Sequence, residues 1–477
     1  MNNQNPNKPP KSKFYTTTPL PKHRGKHSKK NFNTPNNNSI IKKSIKFKSD
    51  DQQPKQRKHT NTTNLTKRTK PIYQKHTQAA TIQQKPLFRN IPTESQEILQ
   101  SFDTLLQHIK PLSSKQLLEL PHNIKALSHQ LTDERSTRHT GYMNQTTLLS
   151  AYTNYFMWWN LMRLTHLFAG LPAKAFESLK ENDFCLDLGS GPLTLPVALW
   201  LSRPELRKLK LTFYCVDLST TALSLGEEIF LSVVAATNRK SPNPSDPWNI
   251  IRIKGNTDTT LNHDVSAVFC ANMFNELFWN STTPLESDAK KYANMLRRYA
   301  QKKALIMVVE PGIPRAAQFV SLLRDNFLRN EYSIISPCPH EKTCPMNGKR
   351  GNKWCHFVLS TANAPKKLQK LSDISKLSKD RATLSFIIVR PKVNSETAIA
   401  TTTNNVKDTK TYIRVVSDPV RIPGKGVGRY ACAPWGLTLV MEPPTSFSGS
   451  LIPVNLTTEQ VYHLPIDKKT GAKILYF

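Results

Sequence analysis

The 477 residues carry 67 Lys and Arg against 34 Asp and Glu, a net charge of +33. A chain of this length can bury a sizeable core in two or three domains, and its charge points to a polyanionic partner such as nucleic acid. The longest apolar helical stretch, Tyr155 to Phe168, is interrupted by Asn160, Arg163 and His166, which excludes a membrane-spanning helix.

Residues 1–90 hold 21 of the basic residues against only Asp50 and Asp51, so this segment contributes +19 of the +33. It is rich in Asn, Thr, Pro and Lys, and buries too little apolar surface to offset chain entropy; a disordered cationic tail is expected. Its opening is Lys- and Asn-rich and broken by Pro6, Pro9, Pro10, Pro19 and Pro21, unlike an amphipathic Arg-rich transit helix. That favours a bacterial cytoplasm, with the mitochondrial matrix as the alternative.

A helical domain is predicted over 91–175. Thr93 and Gln96 have capping-box spacing ahead of Ile98, Leu99, Phe102, Leu105, Leu106 and Ile109. Pro111 and Pro121 punctuate it, and a helix from Thr146 carries Tyr152, Tyr155, Phe156, Trp158 and Trp159. Helical spacing among Leu and Met makes this aromatic stripe core, with base stacking as the second reading. Arg135, Arg138 and Arg163 are the polar contacts expected nearby.

From 176 to 392, short apolar runs alternate with helical segments, the pattern of a doubly wound α/β sheet. Phe184 to Leu188 runs into Asp187-Leu-Gly189-Ser-Gly191, a strand followed by a glycine turn and a helix from about Leu195. A second strand ends at Asp217, where such folds present a carboxylate to ribose hydroxyls. A third leads to Gly255-Asn-Thr-Asp258, a fourth to Asn272-Met-Phe-Asn275-Glu276, and a fifth ends Glu310-Pro-Gly312. Asp187, Asp217, Asp258, Asn272 and Glu276 are therefore expected around one cleft at the strand ends. Thr194 stands where a nicotinamide fingerprint needs its last glycine, which disfavours that cofactor.

A Cys-rich insertion is read over 333–356, followed by strand-like runs at 356–359 and 384–389 that would form the sheet's terminal hairpin. Residues 393–477 read as a linker and a β-rich extension. Of seven cysteines, three lie in apolar strand-like runs, whereas Cys338, Cys344, Cys355 and Cys432 lie in loop-like sequence with gaps of five, ten and seventy-six residues. Four thiolates suit structural zinc or an iron–sulfur cluster, and the gaps lack paired CxxC knuckles, so spacing leaves the metal open. His340 and His356 beside them are candidate replacements or outer partners. Basic residues flank both segments: Lys342, Lys349, Arg350 and Lys353 on one, Arg414, Arg421, Lys425 and Arg429 on the other.

Asp187-x-Gly189-x-Gly191 with Asp217 resembles the first motif and acidic loop of class I S-adenosylmethionine-dependent methyltransferases, except that Leu193 replaces their usual third glycine. Taken with Asn272-Met-Phe-Asn-Glu-Leu, Val309-Glu-Pro-Gly, Cys338-Pro-His, Cys344-Pro, Lys353-Trp-Cys-His-Phe and Gly428-Arg-Tyr-Ala-Cys432, it resembles the methyltransferase-like small-ribosomal-subunit assembly family, which has mitochondrial and bacterial members. The resemblance spans residues 95 to 445. It implies a class I methyltransferase fold, with S-adenosylmethionine held by Asp187, Gly189, Gly191, Asp217, Asp258 and Asn272. It further implies a [4Fe-4S] cluster, with zinc the alternative, on Cys338, Cys344, Cys355 and Cys432.

The implied partners are small-subunit rRNA and the small ribosomal subunit, contacted through Lys349, Arg350, Arg414, Arg421, Lys425 and Arg429. A monomer that does not bind membrane is expected. Methyl transfer needs an oriented acceptor and, for some acceptors, a base. No Asp/Asn-Pro-Pro-aromatic motif is present, and Pro337-Cys338 lies in the metal loop. An RNA-binding assembly or translation factor is therefore the preferred function, an active rRNA methyltransferase the second, and a metal-stapled translation regulator the third.

Overall fold

The computed structural model describes residues 85–135, 141–279, 281–300, 304–349, 351–392, 411–424, 426–441 and 447–476. The expected tail, up to residue 84, and Arg138, Arg350 and Lys425 lie outside them.

Five runs form parallel strands: β1 (Phe184–Leu188), β2 (Thr212–Asp217), β3 (Asn249–Lys254), β4 (Ala267–Ala271) and β5 (Leu305–Pro311). Helices carry the chain back to the same edge between β1 and β2, β2 and β3, and β4 and β5, whereas residues 255–266 join β3 to β4 without one. Three further strands, β6 (Tyr332–Ser336), β7 (Phe357–Ser360) and β8 (Arg381–Pro391), complete the sheet. Its order is β3-β2-β1-β4-β5-β8-β6, with β7 also paired to β8. β8 is antiparallel to β5, β6 and β7. This is the class I methyltransferase sheet.

The Cys-rich insertion is expected from 333, with the runs 356–359 and 384–389 as a terminal hairpin. The pairing forms, Phe357 opposite Leu384, but Tyr332–Ser336 is itself a strand on β8, so the Cys-rich segment starts after it. Its three middle residues are only half-buried, which gives a weak strand signal beside the cysteines. The Lys-rich loop between β7 and β8 contains a helix, Lys366–Ile374.

Two apolar layers sandwich the sheet. On one side Leu186, Val268, Ile306 and Val308 meet Ala293, Leu296, Phe319 and Leu323. On the other, Phe213, Phe269 and Met307 meet Leu199, Phe230 and the aromatic helix. That helix carries the predicted stripe into the core: Tyr155, Trp158 and Phe168 are at most 1% exposed. Trp158 Nε1 donates to Leu99 O at 2.8 Å, and buried Arg207 donates to Glu94 (3.1 Å) and Ser95 Oγ (3.0 Å). The stripe is not one regular helix, because Tyr152–Met157 forms a π-helical turn between Thr146–Ala151 and Trp158–Gly170. Such insertions frequently mark functional sites.

The helix expected at Thr93 forms, but without its box. Pro92 occupies the cap, Thr93 is already helical, and the Gln96 N–H bonds Pro92 O at 2.9 Å. Capping boxes form instead at Ser113/Gln116 and Thr457/Gln460.

Residues 411–476 form a second sheet from β9 (Thr411–Val415), β10 (Val420–Ile422), β11 (Gly426–Ala433), β12 (Gly436–Met441), β13 (Leu451–Val454) and β14 (Lys473–Tyr476). Its order is β13-β9-β11-β12-β14, with β10 on β11, around Ile413, Val415, Ala431 and Val440. The described chain starts a little before 91. Lys85 and Leu451 exchange backbone hydrogen bonds at 3.2 and 3.0 Å, and Leu87 is buried against Gly170 and Gly449. No described helix is long and apolar enough to cross a membrane.

Candidate functional site

The strand order reverses between β1 and β4, and a cleft opens there at the carboxyl ends of the strands. Gly189 (φ +68°) and Gly191 (φ +52°) turn the chain sharply after β1. A Cβ on Gly189 would lie 2.7 Å from Met273 Cγ, so only glycine lets these two loops approach. Leu193, the departure from the family pattern, adopts the glycine-like left-handed conformation (φ +55°) and is fully buried. Space for it comes from Gly226 on helix Thr220–Asn238, where a Cβ would meet Leu193 Cδ1 at 2.7 Å. The missing glycine is thus offset by another one in the facing helix.

Asp217 ends β2 with both carboxylate oxygens engaged: Oδ2 accepts from Gly191 N–H and Oδ1 from Ser219 N–H, each at 2.9 Å. Burial raises its pKa, and those N–H groups oppose the rise. Each oxygen keeps a second lone pair for a hydroxyl of a bound ligand. Asp187 is 1% exposed and accepts from Ser190 Oγ; burial pushes its pKa up to about 7.

Asn272 closes the opposite wall in the left-handed region (φ +59°), its N–H held by Val309 O at 2.8 Å. The two residues after Met273 are pinned from β5: Glu310, fully buried, accepts from Phe274 N–H and Asn275 N–H, both at 2.9 Å. Burial raises Glu310 to about 8, with those two donors opposing.

The cleft offers about 180 Å³ of space and opens to solvent at its mouth. Gly189, Gly191, Asp217 and Asn272 line it together, with Glu276, and Asp187 lies beside Gly189 and Asn272 in an adjoining recess. Asp258 does not join them. It is largely exposed, 3.6 Å from Arg298, and Gly255, Asn256 and Thr257 line the cleft in its place. The strand-end turn carries the side chain past the mouth. Tyr142, Met143, Tyr152 and Met273 also line the cleft and were not singled out as ligand contacts. Tyr142 and Met143 come from a loop far from the glycine motif, which carries no sequence signal. Glu310 carries no signal in the sequence beyond ending a strand, because its partners are backbone groups.

A second cleft shares Tyr152, Asn272 and Glu276 with the first and runs toward Phe156, Arg163 and Lys379. Arg163 donates to Thr383 O at 2.6 Å and to Asn160, and burial lowers its pKa to about 10.

The four loop cysteines come within electrostatic reach of one another, although β11 supplies Cys432 and the β6–β7 connection supplies the rest. None is in a disulfide. Burial raises the pKa of Cys338, Cys355 and Cys432, and the neighbouring thiols push further in the same direction. Arg324 and Arg414 act on them oppositely, favouring thiolates. Arg324 is 3% exposed and is tied to His340 O (3.1 Å) and Lys342 O (2.6 Å). His340 Nε2 is 3.1 Å from Cys432 Sγ, whereas His356 faces Asp418 at 3.6 Å. Buried and half-buried soft donors with compensating cations fit a metal centre in chemistry. Among the described residues no three His, Cys, Asp or Glu converge on a single ion position.

Of the expected RNA contacts, Lys349 and Arg421 are exposed, and Arg429 is partly buried and donates to Ser417 O at 3.3 Å. Arg414 does not belong to that face. Its guanidinium turns inward, donating to Pro337 O (2.9 Å) and Gly449 O (2.8 Å) beside the cysteines. A single sequence cannot tell an exposed strand arginine from one drawn under a loop.

Residues 174–427 match the family described as mitochondrial small ribosomal subunit Rsm22. No curated protein matches the chain. Similar solved structures include precorrin-6y C5,15-methyltransferase from Geobacter metallireducens, at 12% identity over 46% of this chain and 86% of that one, with a TM-score of 0.25. A putative class I S-adenosylmethionine-dependent methyltransferase from Listeria monocytogenes is 14% identical over 63% and 88% (TM-score 0.28). A putative RNA methyltransferase from Pyrococcus horikoshii is 11% identical over 57% and 98% (TM-score 0.26).

Proposed function

Because the chain belongs to the mitochondrial small ribosomal subunit Rsm22 family, we propose that it serves the small ribosomal subunit as an assembly or translation factor that binds rRNA and keeps an S-adenosylmethionine cleft. The observation that carries the cofactor assignment is the pair of walls facing each other at the switch point. On one, Gly189, Gly191 and a doubly anchored Asp217 offer backbone and carboxylate to a nucleoside; on the other, Asn272 is held in a strained conformation by β5. S-adenosylmethionine, when bound, supplies an electrophilic methyl group. Asp217 would take the ribose hydroxyls, Leu188, Val216, Leu218 and Leu277 would shelter apolar parts of the ligand from water, and the glycine turn admits close backbone approach.

The same reading gives Cys338, Cys344, Cys355 and Cys432 a [4Fe-4S] cluster, a structural staple between the methyltransferase sheet and the β extension. Arg324 and Arg414 support it by offsetting thiolate charge in a buried place. Lys349, Arg421 and Arg429 would give nearby phosphate contacts, positioning the protein without reading bases. The family's description supports the mitochondrial matrix, the second of the two compartments the sequence left open.

An active rRNA methyltransferase is the second reading, favoured by the second cleft that meets the first at Glu276. To separate the two, anaerobically purified protein and radiolabelled S-adenosylmethionine are added to immature small subunits from cells lacking the protein. Binding without label is the expected result; label at one rRNA position, lost in Asp217→Ala, would establish the enzyme. Iron and sulfide assays on the same preparation test the cluster, and stoichiometric zinc without sulfide would overturn it.

A further inference from the structure

The second cleft has a composition that the donor site does not explain. We propose that it holds one unstacked nucleotide of single-stranded RNA, its base beside Phe156 and facing Asn272 and Glu276, its phosphate toward Lys379. This inference rests on the donor-cleft reading only for the direction in which the base points.

Charge comes first. The lining includes Arg135, Arg163, Lys379 and Arg381 against the single carboxylate of Glu276, so an anion is favoured. Three of these cations are already committed at short range: Arg135 to Thr132 O (3.0 Å) and Asn275 Oδ1 (3.1 Å), Arg163 to Thr383 O and Asn160, and Arg381 to Asp418 at 3.0 Å. Lys379 differs, because among the described residues no carboxylate pairs with it. It stands at the mouth with its ammonium 5.9 Å from the Tyr155 ring centroid, and loss of water together with the nearby Arg163 lowers its pKa to about 8. An ammonium held against a ring and a guanidinium gains from an incoming phosphate.

Shape comes next. Tyr155 and Trp159 are buried and fixed by hydrogen bonds to Leu377 O (3.0 Å) and Ser372 Oγ (3.2 Å), whereas Phe156 is only partly buried. Phe156 is braced by Tyr152 and Tyr155, with ring centroids 5.9 and 5.1 Å away. A partly exposed ring on a rigid aromatic base is a stacking platform for a nucleobase. The π-helical turn positions it, since Tyr152, Tyr155 and Phe156 all fall within Tyr152–Met157. At the inner end, Asn272 and Glu276 offer both donor and acceptor groups to a base edge, and they also border the donor cleft. An acidic peptide satisfies the charge but has no use for the aromatic platform, and the chain's excess of +33 matches a polyanion.

The test uses the full-length protein saturated with S-adenosylhomocysteine. The four nucleoside 5′-monophosphates are titrated by calorimetry into wild type, Lys379→Gln and Phe156→Ala. Mononucleotides avoid nonspecific binding of longer RNA to the basic surface. At least one should bind, and each substitution should weaken it about tenfold, the scale of one stacked base or one charge-assisted bond, while S-adenosylhomocysteine affinity stays within about twofold. Unchanged nucleotide affinity in Lys379→Gln, whose surface change leaves the fold intact, would overturn the proposal. So would binding of a hexaglutamate peptide at the same place with the same dependence, or no nucleotide binding at millimolar concentration while S-adenosylhomocysteine binds. If S-adenosylhomocysteine fails to bind but the nucleotide binds with the expected dependence, the donor reading falls and the nucleotide cleft stands.

Discussion

Glu310→Gln tests how the wall bearing Asn272 is held. The side chain is fully buried at the end of β5, and its two oxygens accept the N–H groups of Phe274 and Asn275. Glutamine keeps the shape and one acceptor, but turns its NH₂ toward the other N–H and leaves a buried donor unpaired, at a cost of about 1–3 kcal/mol. Burial also holds the native carboxyl at about 8, against an ordinary 4.5. With the folded value above the unfolded one, its contribution to stability is fully present below pH 4.5 and is lost as pH rises through 8. That shift corresponds to something on the order of 5 kcal/mol. Urea unfolding at pH 5 and pH 8 reads both effects. At pH 8 the variant should recover part of its deficit relative to wild type, because it carries no proton to lose, and S-adenosylhomocysteine should bind it more weakly at pH 7. An equal deficit at both pH values, together with unchanged ligand affinity, would refute the assignment of Glu310 as the anchor of this loop.

Asp217→Ala should weaken S-adenosylhomocysteine binding by at least about tenfold in calorimetry, by removing acceptors for two hydroxyls and unpinning the Gly191 turn. Arg414→Met should lower iron and sulfide content in anaerobic preparations while leaving S-adenosylhomocysteine affinity unchanged, since the guanidinium faces the cysteines and not the donor cleft; if instead it weakens only rRNA binding, Arg414 belongs to the RNA face after all. Gly170→Ala should destabilise by about 1–3 kcal/mol in urea unfolding, because its Cβ would fall 1.6 Å from Leu87 O and push the 85–91 segment away; a wild-type unfolding curve would show that this segment is not packed there.

Much of the sheet was legible because apolar runs ending in polar residues encode strands, and the spacing between them encodes crossover helices. Asp187, Gly189, Gly191 and Asp217 were legible for a local reason: a tight strand-to-helix turn needs glycine, and the next strand end is fixed by the fold. The four cysteines stood out because soft donors in loop sequence have little other purpose. β6 was less legible, since half-buried residues beside a Cys-rich loop give a weak period. Asp258 and Arg414 show the limit more sharply. Their types suited the cleft and the RNA face, but direction is settled only in the fold: the turn after β3 leaves Asp258 largely exposed, and Pro337 O and Gly449 O draw Arg414 inward.

By itself, then, the sequence determined the alternation of elements, the glycine turn with its acidic partner and the choice of soft donors, because these follow from local sterics, periodicity and ligand chemistry. The tertiary structure alone decided that Gly226 makes room for Leu193, that Glu310 anchors the loop after Asn272, and that the second cleft meets the first at Tyr152 and Glu276. Each of these depends on side chains brought together across the fold, where packing and burial choose among orientations that a single strand or helix leaves equally open.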